Sequence, residues 1–182
     1  MLQPWTTIGG RLRLVLVLIV AATVLPVAWY LGSPLFLNRR VDEGFPPAHA
    51  LAQNRPAGGM RGSATPAVLR RGEFGALDLL HKGEGQAIIF QLPDGQRLLR
   101  FEHFRVQNGP DLYVYLSGHP APQNSAEVHQ AGAFEVARLK GNVGDQNYAL
   151  PRDLDLSRFT SAVIYCKRFS HVFSTAELVP VR

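Results

Sequence analysis

Ser161-Ala-Val-Ile-Tyr-Cys166 is the stretch whose reading decides the fold. Its six residues carry no charge and are rich in β-branched and aromatic side chains, which suit a pleated strand better than a helical turn. Successive side chains of a strand point to opposite faces, so Val163 and Tyr165 go one way and Ile164 and Cys166 the other. Both faces are apolar, and the spacing therefore predicts a central strand covered on two sides. Continued alternation sends Phe169 with Tyr165, turns Lys167 away from the sulfur and puts Arg168 on the face of Cys166.

Working outward, Gln86–Leu92, Leu112–Leu116 and Ala133–Ala137 alternate in the same manner. Turn chemistry separates these runs. Pro93-Asp94-Gly95, Asn108-Gly109-Pro110-Asp111, Gly141-Asn142 and Gly144-Asp145 supply fixed φ, positive φ and side-chain turn caps. Past residue 73 no stretch of 11 residues keeps helical periodicity, so residues 73–182 are expected to form an all-β domain, an antiparallel β-sandwich. Gly83-Glu84-Gly85 reads as a turn before the strand at Ala87, and the polar run Gly118–Gly132 as the longest loop, lying at one end of the sandwich.

The N-terminal part is of another kind. Leu14–Gly32 (LVLVLIVAATVLPVAWYLG) holds no charge over 19 residues, enough for a helix to cross a bilayer core. Arg11 and Arg13 precede it, and Trp29 and Tyr30 stand at its far end, where amphipathic rings favour the interface. A single N-terminal transmembrane signal anchor is expected over 14–32, with 1–13 as a short cytoplasmic tail. A cleaved signal peptide is the alternative, with Ala48-His49-Ala50 as a small-x-small site set far beyond the apolar run. The flanking arginines are tied, two on each side, so orientation rests on the short N-terminal arm and not on charge. Residues 33–72, with Pro46, Pro47, Pro56, Pro66 and six arginines, read as a Pro/Gly/Arg-rich linker too poor in apolar surface to order itself.

Charge follows this division. The chain carries +5 overall, yet residues 1–72 hold eight basic against two acidic residues and residues 73–182 hold 11 against 12. The folded part has no basic excess, and nucleic acid is not an expected partner.

Several chemistries drop out on motif grounds: G-x-S-x-G, P-loop, H-E-x-x-H, C-x-x-C-H and EF-hand sequences are absent. One cysteine excludes an internal disulfide and any Cys-rich zinc module. Cys166 is then either a small buried hydrophobe or a sulfur in chemical use, as ligand, redox thiol or intermolecular disulfide. His81, His103, His119, His129 and His171 could join it at a soft metal or haem, but no spacing sets a ligand geometry, and no metal site is assigned. Asp145, Asn147, Asp153 and Asp155 could offer oxygens to calcium, with turn capping the simpler account.

Three blocks then stand together: Leu99–Ser117 (LRFEHFRVQNGPDLYVYLS), Leu139–Pro151 (LKGNVGDQNYALP) with Leu154–Ser157, and Ala162–Phe169 (AVIYCKRF). In this order they make the chain resemble the DM-13 domain over nearly all of residues 73–182. Ser33-Pro-Leu-Phe and Val41–Pro46 are similar to the post-anchor segment of bacterial members. The resemblance implies an extracytoplasmic β-sandwich proposed to act in electron transfer, found behind an anchor in bacteria and beside haem-binding DOMON domains in Skeletor-like and Knickkopf-like proteins. It assigns the family's characteristic cysteine to Cys166, its Asn-Gly-Pro-Asp turn to Asn108–Asp111, its Asn-Tyr pair to Asn147 and Tyr148, and an upstream histidine to His81. Ala176-Glu-Leu departs from a position often smaller and richer in glycine.

The expected protein is thus a single-pass protein of a bacterial inner membrane with a periplasmic C-terminal domain. Cys166 would be its redox residue, and His81, Asp111, Asn147, Tyr148 and Arg168 would surround a haem or copper-type redox centre, a cofactor that ligand spacing does not support. Its partners would be the lipid bilayer and a redox partner protein. The rival expectation is a non-catalytic module that binds a cell-envelope glycan.

Overall fold

The computed structural model describes residues 8–36, 38–46, 65–77 and 82–181, and its contacts divide the chain into two units, Met1–Leu37 and Asn38–Arg182. The first unit contains helix α1, Ile8–Phe36. Its window Arg13–Tyr30 has mean hydropathy 2.1 and buries none of its length within the protein, so by length and composition it can cross a membrane. Thr23 Oγ1 donates to the carbonyls of Ile19 and Val20, which hides the one hydroxyl in the middle of this apolar stretch.

The second unit is all β, as the alternation requires. Its strands are β1 (Ala67–Gly75), β2 (Gly83–Gln91), β3 (Arg97–Val106), β4 (Leu112–Ser117), β5 (Ala133–Arg138), β6 (Gln146–Leu150), β7 (Ser161–Cys166), β8 (His171–Glu177) and β9 (Val179–Pro180). Neighbours run antiparallel in the order β5-β4-β7-β8-β1-β2-β3-β6, with β9 beside β1. The expected sandwich is therefore present, and β1 joins its two faces. Most of β1 pairs with β2, while Phe74 and Gly75 at its end pair with Ala176 and Thr175 of β8. The result is a nearly closed, barrel-like sheet around one core.

Strand β7 holds the central place its composition predicts, between β4 and β8, with every residue buried. Ile164 and Cys166 enter the main core with Phe74, Leu99, Phe101, Phe104, Leu116 and Phe173. Val163 and Tyr165 enter a second cluster on the opposite face, with Tyr115, Val128 and Val172. Val128 belongs to helix α2 (Ser125–Gln130), which lies inside the expected loop Gly118–Gly132. Asn124 caps α2 by accepting from the Glu127 N–H at 3.0 Å. The segment thus covers the outer face of β7 besides connecting two strands, which is why β7 needs apolar residues on both sides.

Two expectations change here. Gly83-Glu84-Gly85 is the start of β2 and not a turn before it; Gly85 takes φ +97° in a bulge opposite β3. An added Cβ there would come within 2.6 Å of the Glu102 carbonyl oxygen, so glycine is required by both φ and space. The linker expected over 33–72 is also shorter at both ends. Val41 and Glu43 donate backbone N–H groups to the carbonyls of Val143 and Asp145, both at 2.9 Å, so residues 38–46 form a strap fixed to the β-domain. Strand β1 takes residues from 67 onward, and the Arg70 guanidinium donates to the Phe159 carbonyl at 2.9 Å. Composition missed the strap because its partners, Val143 and Asp145, lie far along the chain, and it missed the start of β1 because arginines mask a strand that pairs with residues 86–91.

Candidate functional site

Cys166 ends β7 at one end of the core. In register it faces Leu112 of β4 on one side and His171 of β8 on the other. Directly paired residues of antiparallel strands present their side chains to the same face. His171 therefore stands on the sulfur's side of the sheet, and its ring meets that of Phe173 edge to face, with centroids 6.2 Å apart. Deeper in the same core, Phe74, Phe101 and Phe104 stack within 4.9–5.0 Å of one another, and Tyr148 lies 5.3 Å from Phe101. The sulfur is free and fully shielded from solvent.

The Asn108–Asp111 turn closes this end. Gly109 is packed closely, since a Cβ on it would lie 2.9 Å from a Leu112 methyl and 3.0 Å from the Phe173 ring, and a larger residue would push on those side chains. Its N–H donates to Asn108 Oδ1 at 3.0 Å. Asp111 accepts from the Lys167 N–H through its backbone carbonyl at 3.1 Å, tying the turn to the residue after the cysteine. Of the residues assigned by resemblance, Asp111 is thus brought beside Cys166. Arg168 is not held on the sulfur's face by strand alternation, because β7 stops at Cys166 and residues 167–170 form a turn. Arg168 is exposed there, as is Phe169, which was expected to pack with Tyr165. His81 lies outside the described residues.

Asn147 and Tyr148 build a different cluster, one that includes the strap. The Arg100 guanidinium, its side chain only 7% exposed, pairs with Glu102 at 2.8 Å and Asp145 at 2.6 Å. It also donates to Asn147 Oδ1 and the Glu43 carbonyl, both at 2.9 Å. Asn147 donates its side-chain amide to Gly44 O at 2.8 Å and its backbone N–H to Glu43 Oε2 at 2.7 Å. Lys140 Nζ closes the ring on the Glu43 carboxylate at 2.8–2.9 Å. Burial works to raise the Glu43 pKa, but Lys140, the Asn147 N–H and Arg100 outweigh it and hold the carboxyl below its ordinary value. The Tyr148 hydroxyl donates to Gln146 Oε1 at 2.7 Å and accepts from the Lys140 N–H at 3.2 Å. Burial pushes that phenol far above its usual range, so it stays protonated.

The oxygens of Asp145 and Asn147 considered for calcium are therefore held by Arg100, a cation already in place. Among the described residues no group of three or more His, Cys, Asp or Glu side chains converges on a point a metal could occupy. Sequence reasoning missed Arg100, Glu43 and Lys140. An arginine inside Leu98-Leu99-Arg100-Phe101 was the available signal, since a charge in an apolar strand calls for buried partners.

Between the strap and the Asn108–Leu112 turn lies a cleft of about 310 Å³, lined by Arg39, Asn108, Gly109, Pro110, Leu112, Arg138, Leu139, Lys140, Gly141 and Asn142. Leu112 is shared: it lines the cleft and is the register partner of Cys166.

Compared with known protein families, residues 74–178 match the family described as Electron transfer DM13. No curated protein and no solved structure matches the chain.

Proposed function

This chain belongs to the electron transfer DM13 family, and from that premise we propose that it is a membrane-anchored electron-transfer protein whose β-domain stands on the outer side of a bacterial inner membrane, with Cys166 as its redox-active residue. One observation carries the assignment to Cys166: the chain's one thiol lies at an end of the core, between Leu112 and His171 and beneath the Asn108–Asp111 turn. Anchoring is supported by α1, which has the length and hydropathy for a membrane span. The extracytoplasmic placement follows from reading α1 as a signal anchor with a short cytoplasmic arm.

The burial of the sulfur restricts how this function would work. Thiol–disulfide exchange needs a thiolate that an incoming sulfur can reach, and a fully shielded Cys166 offers no such approach in the closed domain. Electrons would have to pass through the packed end of the core, or the Asn108–Asp111 and 167–170 turns would have to open. The experiment is a redox titration of the full-length chain in detergent, alongside Cys166→Ala. A free thiol is already reduced, so loss of the electrons released to an added oxidant such as ferricyanide is the expected result in the variant, and release equal to that of the parent chain removes Cys166 from the role.

The same burial favours a second reading, in which Cys166 serves as a small core hydrophobe and the domain is a non-catalytic envelope-binding module. Retention of cell-envelope glycan binding by Cys166→Ala, with no electron release to the oxidant by either protein, would select it.

A further inference from the structure

We infer that the cleft between the strap and the Asn108–Leu112 turn is an oxyanion site, built for a small phosphate group, and that the docked strap completes it. Three cations from separate parts of the chain line it: Arg39 from the strap, Arg138 from the end of β5, and Lys140 from the connection that follows. No carboxylate is among the lining residues. Arginine forks match the paired oxygens of phosphate.

The cations differ in how firmly they are held. Lys140 is fixed by the Glu43 carboxylate at 2.8–2.9 Å and by the Asn147 carbonyl at 2.7 Å, so its three N–H groups are engaged and it shapes the wall of the cleft while the two arginines meet the anion. Arg138 reaches Asp111 only at 3.6 Å and its side chain is 66% exposed, so this pair is weak and the fork is free to turn toward a ligand. Arg39 anchors its backbone, donating its N–H to Asn142 Oδ1 at 2.7 Å, while its guanidinium meets no acceptor among the described residues. The cleft therefore combines a preorganised rim with a surplus positive charge. At about 310 Å³ it lies at the small end of the range for ligand pockets, which suits a single phosphate group. Because Arg39 lies on the strap, occupancy favours the docked strap by linkage. None of this depends on Cys166.

The shared chemistry is phosphate, and its source is either a soluble phosphate compound or a phospholipid headgroup. The test uses the full-length chain in two settings. In neutral detergent micelles inorganic phosphate is titrated by calorimetry, and in vesicles phosphatidylcholine is compared with phosphatidylcholine containing phosphatidylglycerol. Amide exchange of residues 38–46 is read in both. Phosphate in micelles is expected to bind and slow strap exchange if the source is soluble; anionic vesicles alone are expected to do so if it is a headgroup. Either effect should fall at least tenfold in Arg39→Ala/Arg138→Ala and persist in Arg168→Ala, whose lost charge lies outside the cleft and equals that of the single Arg39→Ala, and in Cys166→Ala. Should the double variant misfold, the single Arg39→Ala, at an exposed side chain, carries the same expectation. Binding unaffected by the cleft variants, loss equal in Arg168→Ala, or no response to phosphate or to anionic vesicles overturns the proposal.

Discussion

The two places where this domain buries reactive groups solve opposite problems. At the Cys166 end, the sulfur is enclosed by Leu112, Phe173 and neighbouring apolar side chains, and its protection comes from packing alone. Around Arg100 a full charge is buried almost as deeply, yet four of its five N–H groups meet an acceptor. The first region tolerates no water, and the second tolerates no missing partner. Residues assigned by resemblance fall into both, Cys166 and Asp111 in one, Asn147 and Tyr148 in the other. In this chain Asp111 helps to close an end of the core, and Asn147 helps to fasten the strap.

The comparison is broken most severely at Arg100. Arg100→Met leaves Glu102, Asp145, Asn147 and the Glu43 carbonyl without their common donor, and an expected loss of about 3 kcal/mol in unfolding free energy would appear in urea denaturation. A loss below about 1 kcal/mol would mean that water replaces the guanidinium there and that the contrast between the regions is weaker than drawn.

A smaller effect is expected at the apolar end. In Gly109→Ala the added methyl group presses on Leu112 and Phe173, destabilising by about 1–2 kcal/mol. Because the turn caps Cys166, thiol labelling of the native chain should also accelerate several-fold. Destabilisation with unchanged labelling would show that the sulfur is reached by some route other than this turn.

The smallest effect concerns pH and the strap. The Glu43 carboxyl is held below its ordinary value of 4.5, so its contribution is present above that value and is lost as the pH falls through the lower folded value. Glu43 and Lys140 are both more than a third exposed, and solvent screening keeps the contribution to a fraction of a kcal/mol. Amide exchange at Val41 and Glu43, corrected for intrinsic rates, should gain protection from pH 3 to pH 6. Glu43→Gln should flatten that dependence and leave the exchange of β7 unchanged.

Much of the fold was legible in the sequence. Period-two alternation and turn residues gave an antiparallel β-domain, and apolar residues on both sides of Ser161–Cys166 placed that strand centrally. The strap was harder to see, because Asn38–Pro46 has no periodicity and no apolar run; only the similarity of Val41–Pro46 to family members hinted at a reason for its composition. Strand β1 was hidden by Arg70 and Arg71, whose charges read as linker when the carbonyl acceptors of Arg70 are unknown. Arg168 was misplaced by extending alternation past Cys166, where the strand ends. A turn resets the direction of every following side chain.

By itself the sequence determined the apolar span, the β class and the presence of one unpaired sulfur, since hydropathy, alternation and composition are properties of neighbours along the chain. The tertiary structure decided that the sulfur is sealed, that residues 38–46 are fastened to Arg100 and that three cations line one cleft. Each of those facts depends on groups brought together from distant positions, and local pattern carries no information about which distant partner a polar group will meet.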